Sequence, residues 1–149
     1  MPYTAEISRT NPSCFLFLVD QSASMVDTIG EAPCLRKSDV VADSLNRLLT
    51  EVAIRCAKEE GVRDYLHVSV LGYGGRSVQS ALTGALQGHD LIPISQVAEY
   101  PLRVDQRVRL KPDGAGGVVE VKTDFPVWVE AQANGLHNDD VTLGHMDVW

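Results

Sequence analysis

Two apolar runs and one amphipathic stretch organise the first half of the chain. Residues 14–19 are continuously apolar, which is typical of a buried strand that is covered on both faces of its sheet. Residues 39–60 carry apolar side chains at helical spacing, which predicts a long helix packed on that sheet. Residues 65–73 predict a second strand, which ends at a pair of glycines. This order predicts a right-handed crossover between two parallel strands.

Capping residues predict the limits of the long helix. Ser38 is a favourable N-cap, and Asp39 suits the positive end of the helix dipole. Gly61 suits the left-handed residue that often ends a helix. The predicted apolar stripe between these limits comprises Val41, Leu45, Leu48, Leu49, Val52 and Cys56.

The second half of the chain is less regular. Residues 77–91 predict a loop with a helical turn, and residues 93–99 predict a short helix that stops before a proline. Two alternating stretches then flank a glycine-rich tip, which predicts an inserted β-hairpin over about residues 102–125. Residues 136–149 show no clear periodicity and predict an atypical surface tail.

Composition narrows the class of protein. With 149 residues and a hydrophobic content of 44%, the chain suits a single globular domain over residues 1–149. The net charge of −7 argues against nucleic acid as a partner, because binding phosphates requires clustered Lys and Arg. No apolar run is long enough to span a membrane and no secretory signal is visible, so the expected location is the cytoplasm.

The three cysteines predict neither a disulfide framework nor a zinc site. Cys14, Cys34 and Cys56 are odd in number and lack the spacing of metal ligands. Cys14 and Cys56 fall at apolar positions and are predicted to be buried, whereas Cys34 lies in a polar loop.

A run of short oxygen-bearing side chains follows the first apolar strand. Asp20, Ser22 and Ser24 are spaced by two residues, which places their oxygens on one side of an extended segment. One carboxylate and two hydroxyls are hard ligands of the kind that suit Mg²⁺ or Mn²⁺. The spacing therefore predicts a divalent-cation site at Asp20, Ser22 and Ser24.

The stretch Asp20-Gln21-Ser22-Ala23-Ser24 resembles the DxSxS part of the metal-ion-dependent adhesion site of von Willebrand factor A domains. Residues 11–130 resemble a bacterial, intracellular branch of that family. The resemblance implies a Rossmann-like parallel sheet with flanking helices and a bound Mg²⁺ or Mn²⁺ held by Asp20, Ser22 and Ser24. It further implies an interaction module that binds an acidic group of a partner protein through the metal and performs no reaction, so the chain is not expected to be an enzyme.

The chain departs from the family pattern after the hairpin. The family carries a further Thr in a turn, which Asn134-Gly135 approaches, but Leu136 and His137 follow here. The later strand that ends in a second Asp is also missing, so the resemblance implies an incomplete fold.

An incomplete sheet would leave one edge of its first strand open. Open edges pair with other chains, so the protein is expected to pair with itself or with another polypeptide along residues 15–20. The alternative is that residues 136–149 turn back and cover that edge.

Two other functions compete with the interaction module. In a structural remnant, Asp20 and the serines would only bond to loop backbone. In a metal-dependent phosphoryl-transfer hydrolase, Asp20 would act as the nucleophile. Neither His67 nor His89 has a spacing that would make it the base for a serine nucleophile.

Overall fold

The computed structural model describes residues 6–30, 35–74, 77–114, 116–132 and 135–136. These residues form the helices α1 (Lys37–Cys56) and α2 (Ile94–Glu99), with 3₁₀ turns at Ala23–Val26 and Gly84–Leu86. The strands are β1 (Ser13–Asp20), β2 (Thr28–Ile29), β3 (Leu35–Arg36), β4 (Ala57–Lys58), β5 (Gly61–Val62), β6 (Leu66–Tyr73), β7 (Gln79–Ser80), β8 (Ile92–Pro93), β9 (Arg103–Pro112), β10 (Val118–Val127), β11 (Ala131–Gln132) and β12 (Gly135–Leu136).

The main sheet is built on β6. β1 pairs with β6 in parallel, with Ser13 opposite Leu66 and Asp20 opposite Tyr73. The predicted pair of parallel strands joined by a long helix is confirmed, because α1 connects β1 to β6. β7 and β8 pair with the other edge of β6 in the antiparallel direction, so the sheet is mixed and the protein is of the mixed α/β class.

Among the described residues β1 pairs with β6 alone, and one of its faces is exposed, so the prediction that both faces are covered is wrong. Val19 is buried and Phe17 is partly buried against the core that includes α1. On the opposite face, Leu16 is 55% exposed and Leu18 is 64% exposed. Cys14, also predicted to be buried, is exposed. A continuous apolar run indicates that both faces are apolar, but it does not supply a second layer to cover them.

The long helix lies slightly earlier in the chain than predicted. Its N-cap is Arg36 rather than Ser38, and the Arg36 backbone N–H donates to Asp39 Oδ2 at 3.3 Å. Ser38 is fully buried in the first turn. The helix ends at Cys56, and Gly61, with φ of +112°, starts β5 of a small hairpin instead of ending the helix.

The apolar stripe of α1 is confirmed in most positions. Leu45, Leu49, Val52 and Cys56 are buried as predicted, whereas Leu48 is exposed. In the described residues, neither helix combines the length and the apolar character needed to cross a membrane.

The elements of the second half are close to their predicted positions. α2 and the 3₁₀ turn at Gly84–Leu86 occur where a short helix and a helical turn are expected. The hairpin of β9 and β10 is somewhat longer than predicted and pairs Arg103 with Val127 at its base.

A buried asparagine on α1 ties the end of the hairpin to the core. Asn46 Oδ1 accepts hydrogen bonds from the backbone N–H groups of Trp128 (2.8 Å) and Val129 (3.1 Å). Its Nδ2 donates to the Val129 carbonyl at 2.9 Å. Trp128 is buried in turn, and its indole Nε1 donates to the Val97 carbonyl at 2.7 Å. The side chain of Asn46 thus satisfies three backbone groups that have left the hairpin ladder.

Replacing Asn46 by Ala is expected to lower the free energy of unfolding by about 3 kcal/mol, because buried backbone groups lose their partners. Urea denaturation at neutral pH measures the change. Asn11→Ala, at an exposed position, is the matched control and should cost less than about 1 kcal/mol. Equal losses in the two variants would contradict the anchoring role of Asn46.

Candidate functional site

The three predicted ligands lie together at the carboxyl end of β1. Asp20 is the last residue of β1 and stands opposite Tyr73, the last residue of β6. The Gln21 N–H still donates to the Tyr73 carbonyl at 2.6 Å, so the ladder holds the chain up to the start of the loop. Because the two strands are parallel, the loops that follow them leave the sheet at the same edge.

The Asp20 carboxylate is oriented by the loop backbone. Its Oδ1 accepts a hydrogen bond from the Ser22 N–H at 2.8 Å, which is the pattern of an Asx turn. Ser22 then precedes the 3₁₀ turn, where its carbonyl accepts from the Met25 N–H at 2.9 Å. Asp20 is half-buried, so this bond fixes the carboxylate at the base of the loop.

The two serine hydroxyls are neighbours. Ser22 Oγ and Ser24 Oγ are 3.1 Å apart and share a hydrogen bond. Adjacent oxygens around an octahedral Mg²⁺ are separated by about 2.9 Å, given metal–oxygen distances of about 2.0–2.1 Å. The hydroxyl pair therefore has the chemistry and the spacing of two neighbouring cation ligands, and Asp20 adds one negative charge beside it.

Gln21, between the ligands, has a separate structural role. Its side chain is fully buried and packs over Gly72 of β6. A Cβ at Gly72 would lie 2.0 Å from Gln21 Oε1, so the glutamine side chain occupies the space that any larger residue would need. In DxSxS the residue between the ligands is not specified, so the motif does not predict this packing.

Gly74 brings the second loop against the first. Its φ is +98°, and a Cβ there would lie 2.7 Å from Ser22 N and 3.0 Å from Asp20 Oδ1. Only a residue without a side chain permits this approach in this backbone conformation. The sequence placed glycines at the end of β6, but their contact with the Asp20 loop required the parallel pairing.

In the part of the chain that the structure describes, few other side chains could add ligands to a cation beside Asp20. No group of three or more His, Cys, Asp or Glu side chains is arranged around a common point there. His67 lies within β6, away from the carboxyl end where Asp20 lies. The tail residues after Leu136, including Thr142, and the loop residue Cys34 fall outside the described residues.

Gly74→Ala is expected to destabilise the fold by at least about 2 kcal/mol more than Gly114→Ala. Both glycines have positive φ, at +98° and +80°, but a Cβ at Gly114 meets nothing within 4 Å. The control therefore reports backbone strain alone, which is about 1 kcal/mol. Chemical denaturation of both variants measures the difference, and similar losses would show that the close approach to Ser22 does not contribute.

A second region of charged residues lies between α1 and the hairpin. A cleft of about 550 Å³ separates these elements. On its walls, Arg107 pairs with Asp43 and stacks over the Phe125 ring, with Cζ 3.3 Å from the ring centroid. Arg103 pairs with Asp105 and Glu130. The pair between Arg107 of β9 and Asp43 of α1 therefore attaches the hairpin to the helix.

The pKa of the Asp43 carboxyl is shifted by its contacts with the hairpin and with α1. Burial raises the pKa of the Asp43 carboxyl, but hydrogen bonds from Arg107 and Arg47 oppose it and together hold the pKa below its ordinary value. A carboxyl with a lowered pKa stabilises the fold above its unfolded-state pKa of about 4. That stabilisation is lost as the pH falls through the lower, folded-state pKa.

Asp43→Asn is expected to cost about 0.5–1 kcal/mol of stability at pH 7, since the ion pairs are partly exposed to solvent. The difference from the unmodified protein should shrink as the pH falls through the lowered folded-state pKa of Asp43, because the carboxyl then becomes neutral. Denaturation curves recorded at about pH 2 to 7 measure this difference in the free energy of unfolding. Glu51→Gln removes a more exposed pair with Arg55 and should have a smaller effect at pH 7. A constant penalty for Asp43→Asn across the pH range would contradict the assignment.

Comparison with known proteins adds no relative for this chain. No protein-family model matches it, and neither the curated proteins nor the solved structures contain a match.

Proposed function

We propose that the chain is a protein-interaction module that uses a divalent cation, Mg²⁺ or Mn²⁺, to bind an acidic group of a partner protein. The proposal rests on one observation. Asp20, Ser22 and Ser24 lie in one loop at the carboxyl end of β1, with the two hydroxyl oxygens 3.1 Å apart.

The proposal includes the resemblance to von Willebrand factor A domains and the Rossmann-like fold of that family. Under it, β1, α1 and β6 are the first crossover of a Rossmann-like sheet of the von Willebrand factor A type. Ligands of open α/β sheets bind outside the carboxyl ends of the strands, which is where Asp20 is found. The antiparallel strands β7 and β8 and the hairpin would be additions to that framework.

The charges of the loop favour an acidic partner. Ser22 and Ser24 are neutral ligands, and Asp20 supplies a single negative charge. A bound divalent cation would supply positive charge that this loop neutralises only in part, and a carboxylate is the group that best compensates it. The bond from the Ser22 N–H keeps Asp20 in one orientation, so the loop needs little rearrangement to bind.

Isothermal titration with MgCl₂ and MnCl₂ tests the site. The unmodified chain is expected to bind at millimolar or lower concentration, and Asp20→Ala is expected to abolish the binding heat. Ser22→Ala and Ser24→Ala should each weaken binding about tenfold, since each removes one ligand oxygen.

Ser8→Ala is the matched control. Ser8 Oγ and Thr10 Oγ1 form a similar exposed hydroxyl pair, 3.0 Å apart and two residues apart in the chain. Loss of one hydroxyl there should leave the titration unchanged. If the unmodified chain gives no heat that depends on Asp20, the loop has a structural role only and the proposal fails.

A further inference from the structure

β1 presents an open hydrogen-bonding edge. In a parallel ladder, alternate residues of a strand direct both backbone groups toward the same neighbour. The Ser13 N–H donates to the Tyr65 carbonyl at 2.9 Å, so odd-numbered residues of β1 bond toward β6. Cys14, Leu16 and Leu18 therefore direct their N–H and C=O groups away from β6, where β1 has no second partner strand among the described residues.

This edge lacks the devices that keep natural edge strands from pairing. Exposed edges are usually short, bulged or protected by charged side chains and prolines. β1 has eight residues, and its first seven, Ser13 to Val19, include no proline, glycine or charged side chain. Its register with β6 is continuous from Ser13 to Asp20. Its outer face also carries Leu16 and Leu18, which are more than half exposed.

The strand is complementary to a second copy of itself. Uncharged segments of six or seven residues with high β propensity and without proline are the segments that pair with identical segments. Residues 14–19 form such a segment. The chain has a net charge of −7, so two copies repel each other least where they meet through an uncharged strand.

We propose that two copies of the chain pair antiparallel through β1, about a two-fold axis that passes through Leu16. In this register Leu16 faces Leu16 of the second copy, and Cys14 faces Leu18. These are the residues with outward-directed backbone groups, so each opposed pair exchanges two hydrogen bonds.

The intervening positions also match. Phe15 of one copy faces Phe17 of the other, and aromatic cross-strand pairs stabilise antiparallel strands. The two Asp20 residues lie at opposite ends of the new ladder, so their carboxylates do not meet. Because each copy uses its single β1 edge, the pairing closes at a dimer. The dimer does not depend on the proposed cation site.

Sedimentation velocity of the full chain over a concentration series tests the proposal. A species of twice the chain mass is expected to increase with concentration. Leu16→Lys should weaken this dimer at least about tenfold, because two like charges then face each other across the axis. The exposed position of Leu16 allows the variant to keep the monomer fold, which circular dichroism verifies.

Val108→Lys is the matched control. Val108 lies in β9 and is 54% exposed, compared with 55% for Leu16, so the same charge change occurs on an equally exposed strand position. This variant should dimerise like the unmodified chain.

Charge complementation tests the position of the axis. Leu16→Lys and Leu16→Glu should each be monomeric alone, and an equimolar mixture should recover the dimer, because position 16 faces itself. A chain that stays monomeric at all concentrations would overturn the proposal. So would a dimer that tolerates Leu16→Lys, or a mixture that remains monomeric.

Discussion

The parallel ladder between β1 and β6 is the constraint on which the rest of the structure depends. It sets Asp20 beside Tyr73, so the loops after both strands leave the sheet at one edge. Gly74 then approaches Ser22, and the Gln21 side chain fills the space above Gly72. The cation-site hypothesis therefore rests on strand pairing as much as on the motif, because the pairing fixes the position of Asp20 and of the start of the loop that carries the two serines.

The same ladder leaves the sheet asymmetric. α1 covers the face that carries Phe17 and Val19, and Asn46 on that helix holds Trp128 and Val129 in the core. The opposite face of β1 is apolar and exposed, and its second edge pairs with no strand in the part of the chain that the structure describes. An apolar strand without a second neighbour is costly in water, and self-pairing would satisfy its backbone groups with groups of the same kind.

Much of the framework could be predicted because its signals are local. The period of the α1 stripe, the alternation in β9 and β10, and the turn residues between them depend on neighbours along the chain. The sequence predicts Ser38 as the N-cap of α1, but the structure has Arg36 there. Ser38 lies in the buried first turn, and the Arg36 backbone N–H donates to Asp39. Tertiary burial overrode a preference worth about 1 kcal/mol.

The sequence by itself predicted the crossover of β1, α1 and β6, the hairpin, and the group of hard oxygen atoms at Asp20, Ser22 and Ser24. Only the tertiary structure decided that one face of β1 is exposed, that β7 and β8 run antiparallel, and that Asn46 serves the backbone of Trp128 and Val129. The physical reason is range: periodicity and ligand type are properties of neighbouring residues, whereas coverage of a strand and satisfaction of buried groups depend on segments far apart in the chain.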